Sequence, residues 1–198
     1  GIIVVPAGQE SYSSLSSIIK QVPTIFISEN IRDMPANYIS VDNYAGSILG
    51  TEYLISLGHR EIVYFGRRQG STTHHLRAEG YLAACEKSGL QPHFLDNPRE
   101  FSSIQNGYDL ATRLFSERPL KFTAVFASSD TNALGVIKAA DEAGIRIPQY
   151  VSLLGFDNIS YADLPKIELS TIEQPKEQMA LQAVTALIQR IQGLTDKL

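Results

Sequence analysis

Thr123-Ala124-Val125-Phe126-Ala127, the turn Ser128-Ser129-Asp130, a helical stretch ending at Ala143 and Gly144, and then Val151-Ser152-Leu153-Leu154-Gly155 form the passage that decides the fold. Each apolar run has five residues, too short for an independent helix and bounded by turn-forming residues, so each reads as a strand. Between them, Asp130 is placed to cap a helix, Gly144 supplies the left-handed residue that ends it, and Pro148 prevents its continuation. Strand, helix and strand in about 30 residues make a βαβ unit, whose two strands must be parallel. Neither run alternates apolar with polar residues, so both faces of the sheet are expected to be covered by helices.

The same grammar extends outward. Further strands are expected at Ile2–Val5, Thr24–Ser28, Tyr38–Val41 and Glu61–Phe65, and further helices at Asn43–Leu57, Arg77–Ser88, Asn106–Glu117 and Lys176–Gln192. Gly58, Gly89 and Gly193 stop three of these helices, and Pro119 follows the fourth. Ala45, Leu49, Tyr53 and Leu57 make one apolar stripe, and Ala180, Val184, Leu187 and Ile191 make another, the second expected to cover one face of a sheet. The strands before about residue 57 form one group and those from 61 to 155 a second, with crossings near Val41–Asn43 and Asp157–Thr171. The class is α/β, with parallel sheets flanked by helices.

Composition narrows the function. The 198 residues are 43% hydrophobic and 19% charged, an ordinary globular balance. Seventeen Lys and Arg against 21 Asp and Glu give a net charge of -4, without the basic excess of a nucleic-acid-binding surface. The single cysteine, Cys85, permits no intrachain disulfide and suits a reducing cytoplasm. No apolar run approaches the roughly 18 residues of a membrane span.

Motifs of catalysis are missing. Gly66-Arg67-Arg68-Gln69-Gly70 follows a strand but lacks the G-x-G-x-x-G spacing of a dinucleotide site, and no phosphate-binding P-loop occurs. His74 and His75, as neighbours, point about 100° apart on a helix and to opposite faces in a strand, and chelate a metal poorly; they read as a solvated loop or helix start. His59 behind Gly58 reads as a helix cap, and Cys85 as a small core residue. No catalytic residue, metal site or cofactor is therefore assigned. What does stand out is polar residues at strand carboxyl ends, where an open α/β sheet has its ligand crevice. These are Ser28, Ser129, Asp130 and Asp157, with Arg77 beyond the Glu61–Phe65 strand. An Arg fork and an Asp can grip a polyhydroxyl molecule, and Phe101 can stack on a sugar ring.

The chain resembles the lactose-repressor/galactose-repressor (LacI/GalR) regulators. The landmarks are Val41-Asp42-Asn43 with Gly46, Leu57-Gly58-His59-Arg60-Glu61-Ile62, Arg77 with Gly80-Tyr81, and Ala124 to Asp130 with Ala133-Leu134-Gly135. They continue through Gly144-Ile145-Arg146-Ile147-Pro148, Val151 to Asp157, and Leu169 to Pro175. This resemblance implies an effector domain like a type I periplasmic binding protein: two Rossmann-like subdomains that close on a ligand. Residues 1–57 and 169–198 would be the N-terminal subdomain and 58–168 the C-terminal one. It implies that the N-terminal subdomain is incomplete, the chain lacking the helix-turn-helix head, the hinge, the first two strands and the closing strands.

By the same resemblance, Arg77, Asp157 and Phe101 contact the effector, with Ser129, Thr73, Ser28 and Gln174 beside them. Ser129 replaces a frequent Asn, and Ser28 an acidic residue of some sugar-responsive members. A homodimer is implied through Leu134, Ile137 and Tyr161, in a cytoplasmic, non-enzymatic regulator whose partners are a sugar-like effector and, through the separate head, operator DNA. The alternatives are a solute-binding protein of a sugar transporter and an enzyme on a Rossmann-like domain. Phosphate neutralisation needs clustered Lys and Arg, and the longest basic run is Arg67-Arg68. Residues 1–198 are therefore expected to bind the effector but not operator DNA, and tight sequence-specific binding in fluorescence anisotropy would overturn that expectation.

Overall fold

The computed structural model describes residues 1–6, 16–29, 37–66, 71–95, 103–117 and 119–194. In chain order the elements are β1 (Ile2–Val4), α1 (Ser16–Ile19), β2 (Thr24–Ile27), β3 (Asn37–Ile39), α2 (Asn43–Ser56), β4 (Ile62–Phe65), α3 (Thr72–Lys87), β5 (His93–Leu95), α4 (Ile104–Ser116), β6 (Ala124–Ala127), α5 (Asp130–Glu142), β7 (Ser152–Asp157), β8 (Ser170–Glu173) and α6 (Lys176–Ile191). They form two compact units, one of Gly1–Asp42, Gly70–Thr73 and Pro175–Leu198, the other of Asn43–Gln69 and His74–Gln174.

The first unit holds a parallel sheet in the order β1-β2-β3, with Ile3 opposite Ile25 and Phe26 opposite Tyr38. Its small core joins Ile25 to Ala183 and Ala186 of α6, with Ile27, Ile39 and Leu187 packed around them. The second unit holds a five-stranded parallel sheet in the order β5-β4-β6-β7-β8. The chain runs outward from β4 to β5, then returns to β6 on the other side of β4. A topological switch point thus lies between β4 and β6, at whose carboxyl ends ligands of such sheets bind.

Both faces of this larger sheet are buried, as continuous apolar strands require. One face sets Val63, Phe65, Val125, Ala127 and Leu153 against Leu110, Phe115, Val136 and Ala140 of α4 and α5. The other sets Tyr64 against Tyr81 of α3, ring centroids 5.1 Å apart, and against Phe126 at 5.5 Å. The Tyr81 hydroxyl donates to the Ile62 carbonyl and accepts from the His93 amide, which satisfies an otherwise costly buried phenol.

Several sequence expectations are corrected. The apolar stripe of α2 faces outward: Leu49, Tyr53 and Leu57 are exposed, while Asn43, Ser47, Gly50, Thr51 and Leu54 are buried. Close approach, not side-chain size, decides that packing. A Cβ on Gly46 would stand 2.9 Å from the Phe156 ring, and one on Gly50 2.9 Å from Leu154. α6 likewise buries Met179, Ala183 and Ala186 and leaves Val184 and Ile191 exposed. The cap of α5 is Ser129, whose hydroxyl accepts from the Asn132 amide, and Asp130 is the first helical residue.

β5 and β8 were not foreseen, being short edge strands without a continuous apolar run. α3 begins at Thr72, not Arg77, and His74 is buried there with Nδ1 3.2 Å from the Gly66 carbonyl. His59 closes the end of α2 only with its backbone amide, which donates to the Leu54 carbonyl at 3.2 Å; its ring bridges the entrances of β6 and β7 instead, with Nδ1 2.8 Å from Thr123 Oγ1 and Nε2 3.0 Å from Ser152 Oγ, and burial lowers its pKa. The boundaries expected at 57/58 and 168/169 do not divide the two units either; α2 and β8 both belong to the second, since α2 packs on its sheet and β8 pairs with β7.

α4 and α5 cross closely enough that a Cβ on Gly135 would lie 2.2 Å from the Ile104 carbonyl oxygen and 2.4 Å from the Tyr108 nitrogen. Gly135→Ala should lower stability by about 2 kcal/mol, although the same change in an exposed helix gains about 1 kcal/mol. An unchanged or raised midpoint in urea denaturation would contradict this packing.

Candidate functional site

Arg77 is carried on α3 with only 2% of its surface exposed. An isolated guanidinium cannot be buried at tolerable cost, so its partners define the site. Its Nε donates to Asn43 Oδ1 at 2.8 Å, Nη1 to the Ser128 carbonyl at 2.6 Å and Nη2 to Asp157 Oδ1 at 2.9 Å. The guanidinium carbon lies 3.7 Å from the centre of the Phe156 ring, a stacked cation–π contact. These partners come from the start of α2, the end of β6 and the end of β7, so the site sits at the sheet's carboxyl edge beside the switch point.

Asp157 completes the arrangement. Its Oδ1 also accepts from Gln174 Nε2 at 2.5 Å, and its side chain keeps 20% exposure. Its backbone has φ of 118°, a region that non-glycine residues rarely adopt, and Asn158 follows at 50°. Bound neighbours hold this turn: Asp130, fully buried, accepts from the Ile159 amide at 2.9 Å and from Thr171 Oγ1 at 2.6 Å. Of five N–H groups on a guanidinium, Arg77 commits three, and Asp157 commits one oxygen. The other two N–H groups and Oδ2 have no hydrogen-bond partner among the described residues. Adjacent unmet donors and an unmet charged acceptor are what a polyhydroxyl ligand can satisfy together.

Arg77, Asp157 and Gln174 are thus brought together. Ser129, 4% exposed, caps α5 next to Ser128. Phe101 lies outside the described residues. Ser28 and Thr73 meet in the first unit, where the Thr73 hydroxyl donates to the Ser28 carbonyl at 2.8 Å and Ser28 has φ of 74°. Beside them Glu29, 6% exposed, accepts from Ser71 Oγ at 2.8 Å and the Thr72 amide at 2.6 Å. Neither Glu29 nor Asn43 stood out in the sequence as a site residue; the Ser71-Thr72-Thr73 run was the only local sign that a helix start there could receive a carboxylate. Leu134 and Ile137 are half-buried on α5, and Tyr161 is 60% exposed. Among the described residues no group of His, Cys, Asp and Glu could hold a metal, and no helix is long and apolar enough to cross a membrane.

Residues 51–197 match the model of the periplasmic binding protein-like domain. Ribose operon repressor from Escherichia coli strain K12 is 34% identical over 171 residues, 86% of this chain and 51% of that protein. The HTH-type transcriptional repressor PurR of Pasteurella multocida is 32% identical over 197 residues, 96% of this chain and 57% of that one. The chain therefore spans about half the length of the curated relatives it matches. Among solved structures, a LacI family transcriptional regulator from Enterococcus faecium with bound ribose superposes with a TM-score of 0.85 at 26% identity, covering 98% of this chain and 73% of that one.

Because Ser129 carries the cap of α5, Ser129→Ala should cost about 1 kcal/mol of stability. Chemical denaturation with no shift in midpoint would remove the cap from this account.

Proposed function

The chain belongs to the periplasmic binding protein-like domain family, and from that premise we propose that it is the effector-sensing part of a LacI-type transcriptional regulator, binding a small sugar-like molecule without catalysis. The observation that carries the reading is the Arg77–Asp157 pair, its guanidinium buried and stacked on Phe156, with two guanidinium N–H groups and Oδ2 unmet among the described residues. Homology to repressors supports a regulator over a transporter's solute-binding protein or an enzyme, and the ribose in the Enterococcus faecium relative supports a sugar. In this reading Arg77 and Asp157 grip hydroxyl groups, with Gln174 and Ser129 beside them; the family resemblance adds Phe101, Ser28 and Thr73 as further effector contacts.

In the intact regulator, the effector shifts a conformational equilibrium through differential affinity for its states. The change reaches operator DNA through a separate helix-turn-helix head in a cytoplasmic homodimer paired at Leu134, Ile137 and Tyr161.

A thermal-shift screen of D-ribose, other sugars, sugar phosphates and purines tests the reading. A ligand at about 100 times its dissociation constant should add about 2.7 kcal/mol. Asp157→Ala should weaken the bound ligand by about 1.5–3 kcal/mol, the worth of a hydrogen bond to a charged group. Silence across the screen, or unchanged affinity in Asp157→Ala, would overturn the assignment.

A further inference from the structure

Asn43 lies 34 positions before Arg77 and is only 2% exposed. It opens α2, so its backbone is fixed by the first turn of a helix that packs glycine-close on the sheet. Its Oδ1 accepts a hydrogen bond from Arg77 Nε at 2.8 Å. Three oxygens on three sides of one guanidinium then define its plane: Asn43 at Nε, the Ser128 carbonyl at Nη1 and Asp157 at Nη2. The Phe156 ring, 3.7 Å away, defines which face is covered.

The three oxygens do different work. The Ser128 carbonyl is part of the chain, fixed by the end of β6, and Asp157 is the group that a ligand shares. Asn43 is the one neutral side chain of the three. A neutral acceptor orients the cation while leaving its charge to be balanced by Asp157 and the incoming molecule.

We propose that Asn43 is a positioning residue, which aims the Arg77 guanidinium at Asp157 and so sets the direction of the donors left for the effector. This deepens the effector-sensing reading and rests on it for its functional consequence, but the orientation itself is testable without any ligand. Losing the Asn43 oxygen leaves Nε as a buried, unsatisfied donor and frees the guanidinium to rotate about the end of its stem.

The experiment is nitrogen-15 NMR of arginine Nε–H groups in the full chain, with the Arg77 signal assigned from Arg77→Lys. In the parent chain that signal should be protected from solvent exchange. In Asn43→Ala its exchange should accelerate about tenfold, the equivalent of one hydrogen bond, while Asn43→Asp, which keeps an oxygen acceptor, should retain protection. An unchanged signal in Asn43→Ala overturns the proposal; if that variant fails to fold, loss of protection in a folded Asn43→Asp does so instead. Calorimetric titration with D-ribose reads the consequence: Asn43→Ala should bind about tenfold more weakly, and affinity within about twofold of the parent would overturn the positioning role. Failure of the parent chain to bind D-ribose would count against the sugar reading, leaving the Nε–H result to judge Asn43 alone.

Discussion

A positive charge placed inside a protein must be answered from every direction, and the buried guanidinium of Arg77 organises the carboxyl edge of the larger sheet for that reason. The start of α2 answers with Asn43, the end of β6 with the Ser128 carbonyl, and the end of β7 with Asp157, which recruits Gln174 just beyond β8. Asn43 and Gln174 are also the first and last residues of the second unit. One cation therefore ties the two ends of that unit to its central strands. The site and the frame of the unit therefore share the same hydrogen bonds.

Glycine placement lets the helices come close enough for this. Gly80 of α3 faces the Tyr44 carbonyl of α2, where a Cβ would stand at 2.3 Å, and Gly155 of β7 faces Asp130, where one would stand at 2.1 Å. The first contact brings α3, and hence Arg77, against the helix that begins with Asn43. The second lets a buried carboxylate lie across the strand that ends in Asp157. Close backbone packing here replaces the interdigitation of large side chains, and it accounts for the small residues on the inner face of α2.

That preference also explains what the sequence concealed. Strand existence was readable from continuous apolar runs such as Thr123–Ala127 and Val151–Gly155, and helix ends from Gly58, Gly89 and Gly144, because those signals are local. That Arg77 and Asp157 come together was readable from their places at strand ends and from the family resemblance. The inward face of α2 was not, since an apolar stripe predicts burial only when large side chains do the packing. β8 was not readable as a strand because Ser170–Glu173 is a short edge strand that alternates polar and apolar residues. Asn43 stayed hidden because its partner is 34 residues away, and nothing local in the chain marks an amide as the acceptor for a particular guanidinium.

Two acids stand at this edge, Asp130 buried and Asp157 partly exposed, and their bonding separates their work. Both Asp130 oxygens are engaged by the protein's own donors, the Ile159 amide and the Thr171 hydroxyl. Asp130 therefore spends its charge on holding the turn in which Asp157 and Asn158 adopt positive φ, a conformation worth about 1–3 kcal/mol of strain per residue. Asp157 concentrates both of its bonds on Oδ1 and keeps Oδ2 without a partner among the described residues. The saturated acid holds the strained turn, and the strained turn presents the unsaturated acid. A ligand that meets Oδ2 finds its acceptor already oriented, so the ordering cost is met by folding and not at the moment of binding.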